Sequence, residues 1–272
     1  MTISQDVLKR LDSIVDGSAN RSRSEAIEHV LSQYLESNRV AVILGGGDPD
    51  RLRIDGVLRP LVRIHGKSLI EHNIDALRKS GFRKIYLIGR SELIGECFKV
   101  LGNGSKHMVD IKYIEEQKSL GNAKTLQLAE PYIKSPFLVL PVDNFFDFDL
   151  GYLAKVHMSN PGTVTLAVQA DRKSVSDLGV VEMAGGQIIS YEEKAKKPKT
   201  YLTATFIGMY DPDVFDYIPK GNMRWVLQID LFRRLISEGR LNGCIVPGNY
   251  VNIHSRDDLR KISNTKVLPG NK

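Results

Sequence analysis

Three successive glycines, Gly45, Gly46 and Gly47, close the apolar run 40–44, whose last residue is Leu44. A strand that ends this way brings backbone N–H groups close to whatever lies above it, and phosphate gains most from such a nest. The triplet lacks the Gly-Lys-Ser/Thr ending of a Walker loop and the spacing of a dinucleotide fingerprint, so a tight turn is its other reading. Downstream, Arg51, Arg53, Arg59, Arg63 and Lys67 fall within seventeen residues, with Asp50 and Asp55 as the neighbouring carboxylates. Such a cluster either grips an anion or forms a solvated basic face. Asp143 ends a second apolar run, 137–142. A carboxylate at the edge of a central strand is costly unless compensated, and a hard cation such as magnesium compensates it well; a turn cap through Asn144 is the alternative. Glu193 and Lys194 read by themselves as an exposed pair, and His65 and His254 as surface or supporting histidines.

The elements that would position these residues follow from periodicity. Strands at 40–44, 84–88 and 137–142 alternate with a helix at 69–80 that Gly81 stops, which predicts a parallel sheet covered by helices, with ligands at the C-terminal strand ends. Strand patterns at 163–169, 178–183, 188–191 and 201–210 extend it as a mixed sheet, and 192–199 reads as a charged loop. The expected fold is therefore α/β, a Rossmann-like, mostly parallel sheet over residues 39–272, preceded by a small helical segment at 1–38. In that segment Val7, Leu8, Leu11, Ile14 and Val15, then Ala26, Ile27, Val30, Leu31, Tyr34 and Leu35, recur at helical spacing. Ser22 and Glu25 have capping-box spacing. Two helices this short cannot bury both stripes alone, so they require a neighbour or a second copy.

The chain has 272 residues, 42% hydrophobic, with net charge +6. Residues 1–38 carry four basic and six acidic side chains, so the positive excess lies beyond them. A polyanionic partner follows, either nucleic acid or phosphorylated small molecules. Cys97 and Cys244 have no metal-type spacing and read as core thiols. No apolar run approaches the roughly 20 residues of a membrane span, and the start does not read as a signal peptide. A cytoplasmic protein without membrane contact is expected.

Val42-Ile43-Leu44-Gly45-Gly46-Gly47, then Arg51-Leu52-Arg53, Pro60-Leu61 and Gly66-Lys67-Ser68, resemble the opening of the sugar-phosphate nucleotidyltransferases. These enzymes join a nucleoside triphosphate to a sugar 1-phosphate. Pro49-Asp50 stands where the family has Gly-Thr, and residues 54–59 interrupt the stretch, so Arg59 competes with Arg51 for the arginine position. The likeness continues to residue 262. The stretch from Gln117 to Leu120-Gly121-Asn122-Ala123 resembles the nucleotide-binding loop, and Pro141-Val142-Asp143-Asn144 the segment whose aspartate holds magnesium. Leu178-Gly179-Val180 with Tyr191-Glu192-Glu193-Lys194 resembles the sugar-phosphate grip. Tyr250-Val251-Asn252 aligns with a segment that normally supplies a second metal-binding aspartate; here it is Asn252.

The resemblance implies a magnesium-dependent transferase. Arg51, Lys67 and Asp143 would be catalytic, and Leu44, Gly45, Gly46, Gly47, Gln117 and Gly121 would bind nucleotide. Gly179, Glu193 and Lys194 would bind the sugar phosphate, or a related polyol phosphate, and Asp143 and Asn252 the metal. The acceptor phosphate is already anionic, so charge neutralisation and alignment are the demands. The run Leu8 to Asp12, and Arg21-Ser22-Arg23-Ser24-Glu25-Ala26-Ile27, resemble the helices of a ribbon-helix-helix domain, implying a homodimer and possible DNA contact through residues 1–38. The alternative reading is a catalytically weak nucleotide or sugar-nucleotide sensor acting as a DNA-binding regulator.

Overall fold

A computed structural model describes residues 3–18, 20–36, 38–160, 162–170 and 178–263. The chain begins with helices α1 (Gln5–Asp12) and α2 (Arg23–Glu36). Ser4 caps α1 through an Oγ that accepts from Val7 N. At the start of α2, Glu25 N donates to Ser22 Oγ at 3.3 Å, while the Glu25 carboxylate accepts from Arg21 N at 2.5 Å. The box thus closes one residue upstream of the spacing expected. Arg23 clasps Asp12 through two hydrogen bonds, at 2.5 and 2.8 Å, and ties the helices together. Leu11 and Ala26 are buried, whereas Val7, Val30, Leu31, Tyr34 and Leu35 are exposed. These are two helices with an apolar face still open; a ribbon-helix-helix arrangement is not established by them.

From residue 39 the strands of the main sheet are β1 (Arg39–Gly45), β2 (Phe82–Gly89), β3 (Asp110–Glu115), β4 (Phe137–Pro141), β5 (Val164–Ala170), β6 (Gly179–Ala184), β7 (Gln187–Glu193), β8 (Leu202–Tyr210) and β9 (Leu241–Ile245). Between them run helices α3 (Leu69–Lys79), α4 (Ser91–Leu101), α5 (Asn122–Gln127), α6 (Leu150–Ser159) and α7 (Phe232–Ser237), and α8 (Arg256–Ser263) follows. Among the described residues the sheet has nine strands in the order β5-β9-β7-β6-β8-β4-β1-β2-β3. β3, β2, β1 and β4 are mutually parallel. β8 then joins β4 antiparallel, and beyond it, among the described residues, only β5 and β9 pair parallel. The sheet is mixed as expected but not mostly parallel, because β6 and β7 form a hairpin that brings antiparallel pairing into its second half.

Alternation along β1 explains why this strand is central. Ala41 and Ile43 enter the core on one face with Leu138 and Leu140, and Val42 and Leu44 enter the other with Val139. Each fully buried Ile or Leu contributes about 1.5–3 kcal/mol relative to exposure, and burial on both faces is why this strand reads as a continuous apolar run. Ser68 and Glu71 form a capping box that starts α3 immediately after the short strand at Lys67–Ser68. Cys97 and Cys244 are free and buried, as expected; burial pushes the Cys97 thiol up to about 12. No helix among the described residues is long and apolar enough to cross a membrane.

The order β3-β2-β1-β4 sets the position of the site. Chain connections leave β1 toward β2 on one side and β4 lies on the other, so the strand order reverses between β1 and β4. Ligands of open α/β sheets gather in the crevice beyond the carboxyl ends at such a reversal. Here the crevice receives the glycine bend from β1, and Asp143 from β4, whose Pro141 pairs with Leu44.

Candidate active site

Each glycine of the bend has its own reason. A Cβ on Gly45 would lie 2.9 Å from Leu93 Cδ2, so this position lets α4 approach. A Cβ on Gly46 would fall 2.4 Å from Thr125 Oγ1 and 2.6 Å from Glu116 Oε1. Gly47 has open space around it, but its φ of +101° is one that side chains avoid. Its N–H donates to Glu116 Oε2 at 2.6 Å, and the Thr125 hydroxyl donates to the other carboxylate oxygen. Glu116 is therefore a buried anion that holds the bend and α5 together, and sequence reasoning missed it. It stands directly after β3, a strand that the sequence reading did not single out.

The basic cluster divides. Arg51, within a short helical turn, Pro49–Leu52, capped by Asp48, lines a cleft with Gly46, Gly47, Arg90 and Ser119. Its guanidinium has no partner among the described residues, whereas Arg90 donates to the carbonyls of Glu116 and Gln117. Arg53 pairs with Glu92 and Asp50, and Arg63 donates to Gly66 O at 3.1 Å. Lys67 does not join the site: its half-exposed Nζ pairs with Asp75 Oδ2 at 2.6 Å. Arg59 turns inward instead, and NH1 donates to Asp143 Oδ2 at 2.9 Å. Of the two cations, it is thus Arg59 and not Lys67 that meets Asp143. Physically, the hairpin around Gly66 carries Lys67 onto the outer side of α3, while the insertion 54–59 delivers Arg59 to the strand edge.

A cavity of about 240 Å³ lies over the bend, with Gly121, Asn122, Gln228, Asp143 and Asn252 in its wall. Gly121 has φ +99°, and a Cβ there would stand 2.2 Å from Trp225 O. Asn122 bonds Gln228 Oε1 and Leu227 N, at 3.0 and 2.8 Å, and so ties α5 to the π-helical turn Leu227–Leu231. Gln117 is exposed and contributes its carbonyl to Arg90; the glutamine in this wall is Gln228, which the sequence reading did not single out.

Asp143 is 8% exposed. Its carbonyl accepts from Ile253 N at 3.0 Å, and the short strands Asn144–Phe146 and Tyr250–Asn252 pair Asn144 with Asn252. Both side chains, Asp143 and Asn252, reach the same cavity. The Asn252 Oδ1 atom is buried without a hydrogen-bond partner. A carboxylate and an orphaned amide oxygen are hard donors of the kind magnesium takes, with water and phosphate completing its shell. No group of three or more His, Cys, Asp or Glu fit for a metal occurs among the described residues, so a metal here would lean on its ligands' oxygens.

A second cavity, of about 450 Å³, is lined by Glu193, Lys194, Phe206, Tyr250, Asn252 and His254. It adjoins the first through Phe206 and Asn252. Lys194 has a left-handed φ of +51°, a strained setting of the kind that collects at functional sites. Gly179 pairs with Glu193 in register but stands behind the wall. A Cβ on it would lie 2.2 Å from the Tyr191 ring, and Tyr191 Oη donates to Glu193 Oε2 at 2.7 Å. Gly179 therefore makes room for the ring that orients Glu193. Desolvation, and then the Arg59 cation, hold His254 below the usual histidine range, against the opposing charges of Asp143 and Asp258.

The chain is 30% identical over 217 residues to a UTP--glucose-1-phosphate uridylyltransferase of Synechocystis, covering 73% of this chain and 55% of that protein. It is 23% identical over 233 residues to a glucose-1-phosphate thymidylyltransferase of Streptomyces antibioticus, covering 83% and 65%. The chain thus spans between half and two thirds of the length of these relatives. A solved structure from Bacillus anthracis, assigned as a glucose-1-phosphate thymidylyltransferase, shares the fold with TM-score 0.76 at 23% identity, covering 86% of this chain and 97% of that one. The inositol-1-phosphate CTP transferase of T. maritima does so with TM-score 0.66 at 19% identity, covering 84% and 97%. Residues 40–252, from the first core strand to the asparagine beside Asp143, match the Nucleotidyl transferase family, and the chain belongs to that family.

Proposed function

We propose that this chain joins a nucleoside triphosphate to a sugar 1-phosphate, or a related polyol phosphate, and releases pyrophosphate. The observation that carries the reading is Asp143, paired with Arg59, in the wall of a cavity over the glycine bend that adjoins, through Phe206 and Asn252, a second cavity lined by Lys194. Family membership supports it, as do relatives named for uridylyl and thymidylyl transfer to glucose 1-phosphate.

An acceptor phosphate oxygen attacks the α-phosphorus in line, the bond to the β-phosphate bridging oxygen breaks, and pyrophosphate leaves with that electron pair. No general base is needed. Arg51 and Arg90 flank the triphosphate, and Gly45, Gly46 and Gly47 let it approach the backbone. Arg59 neutralises charge at the reacting phosphate, the task expected of Lys67, and Lys194 receives the acceptor phosphate. Preorganised cations in a partly dry site act mainly by stabilising the developing charge. Magnesium, held by Asp143 and Asn252, would add positive charge at the same phosphate.

For residues 1–38 the exposed stripe Val30, Leu31, Tyr34 and Leu35 supports self-association. DNA contact has less support, because Arg23 is committed to Asp12.

The test is pyrophosphate release with each of the four common triphosphates against a panel of sugar 1-phosphates, with and without magnesium. One preferred pair is expected. Absence of release together with absence of saturable triphosphate binding would overturn the reading.

A further inference from the structure

Strand β8 departs from regular pairing at one place. β5 pairs Leu166 with Gly208 and Val168 with Ala204, so Thr205, Phe206 and Ile207 face the single residue Ala167. The Thr205 hydroxyl repairs the ladder: it donates to Ala167 O at 3.0 Å and accepts from Ile207 N at 3.2 Å. A bulge of this kind bends the strand and re-aims a side chain, and bulges recur beside active sites. The re-aimed side chain is Phe206. Residues 203–210 are otherwise all buried, while Phe206 is only partly buried and lines both cavities.

An interior strand has an obvious use for a phenylalanine in the core, yet here it is turned out into a wall that also carries Glu193, Lys194 and Asn252. Such a mix suits a ligand with one apolar face and a polar rim. A pyranose ring has that character: its C–H groups form a flat apolar face, its hydroxyls lie at the edge, and its 1-phosphate projects from one end. An acyclic polyol phosphate offers no such face.

We infer that Phe206 is the platform on which the acceptor's pyranose ring stacks, which makes this residue a determinant of specificity for cyclic sugar 1-phosphates over acyclic polyol phosphates. This rests on the transfer reaction proposed above. With the ring on Phe206, the polar edge faces Glu193 and the phosphate points past Asn252 into the nucleotide cavity.

The test compares wild type with Phe206→Leu, which keeps apolar bulk and so preserves folding, and with Phe206→Tyr, which keeps the aromatic face. Steady-state pyrophosphate release is measured with hexose 1-phosphates and with glycerol 3-phosphate. In wild type the hexose 1-phosphates should be preferred. Phe206→Leu should raise their KM roughly five-fold, the scale of an aromatic contact, with triphosphate KM within two-fold, and Phe206→Tyr should restore it. An unchanged acceptor KM in Phe206→Leu, an equal rise for the triphosphate, or a wild-type preference for glycerol 3-phosphate would overturn the platform while leaving the reaction standing. A wild type that neither turns over nor binds triphosphate would overturn both.

Discussion

The Arg59 guanidinium lies 2.9 Å from the Asp143 carboxylate although 84 positions separate the two residues. Both side chains are nearly buried, at 12% and 11% exposure, and the Arg59 Nε atom has no partner. A buried pair with unspent donor capacity is poorly explained as stabilisation alone, since desolvation offsets much of its Coulomb gain. It is well explained as a cation waiting for an anion.

Arg59→Ala should therefore lower the rate of pyrophosphate release by about 100- to 1,000-fold, the scale of losing one preorganised charge-stabilising donor. Lys67→Ala, which removes only an outward pair with Asp75, should stay within about three-fold of wild type, because exposed ion pairs contribute roughly 0–1 kcal/mol. Side-by-side initial rates check both, and the opposite ranking would restore Lys67 to the site.

Asn252→Asp places a second carboxylate where an unpaired amide oxygen now faces the cavity. The half-saturating magnesium concentration for activity should fall about ten-fold, equivalent to about 1.4 kcal/mol. A magnesium titration of initial rate reads this directly; no change would indicate that Asn252 does not contact the ion.

Gly46→Ala should abolish the fit of α5 against the bend, since the new methyl would overlap Thr125 and Glu116. Overpacking of this kind costs about 1–3 kcal/mol. Triphosphate KM should rise more than acceptor KM, and Thr125→Ser, which deletes the crowding methyl, should recover part of the loss in the double variant. Equal changes in the two KM values would refute a role confined to the nucleotide side.

His157 in α6 is 4% exposed, with Nδ1 2.9 Å from Thr165 Oγ1 and Nε2 3.5 Å from Asp211 Oδ1. Burial holds it below its ordinary value of 6.5, and the Asp211 charge only partly offsets this. The unfolded chain therefore binds a proton more readily than the native one. Stability from this residue is present above pH 6.5 and is lost as pH falls below it, at up to about 1.4 kcal/mol per pH unit. Thermal unfolding between pH 7.5 and 5 should show this decline, and His157→Gln should flatten it.

Tyr34 and Leu35 are 63% and 68% exposed on α2. If that face joins two copies, Leu35→Glu should shift the mass measured by light scattering from dimer toward monomer while leaving transfer activity within about two-fold, as it lies far in sequence from the site. A monomeric wild type would dismiss the pairing.

Much of this was legible in the chain. The β-branched run into Gly45, the alternation of strands and helices, and Asp143 at the end of an apolar run follow from local pattern and were observed. Arg59 was legible as a rival to Arg51, but its pairing with Asp143, and that of Lys67 with Asp75, were not, because they depend on where a six-residue insertion and a hairpin direct two side chains. Glu116 was illegible for a related reason: its burial is created by the arrival of α5 and Thr125, which no local pattern records. Gly179 read as a ligand contact, whereas its missing side chain serves Tyr191.

The bend at Gly46 leaves no spare volume beneath it, so in the proposed reaction the floor under the triphosphate is an anvil that does not adapt to a new substrate. Changes of preference must then be absorbed by the opposite walls, Gln228 on the base side and the strand carrying the Thr205 bulge on the acceptor side. If the proposed reaction holds, those surfaces can be redesigned separately from the glycine bend, and the identity of the joined partners can drift while the joining itself stays fixed.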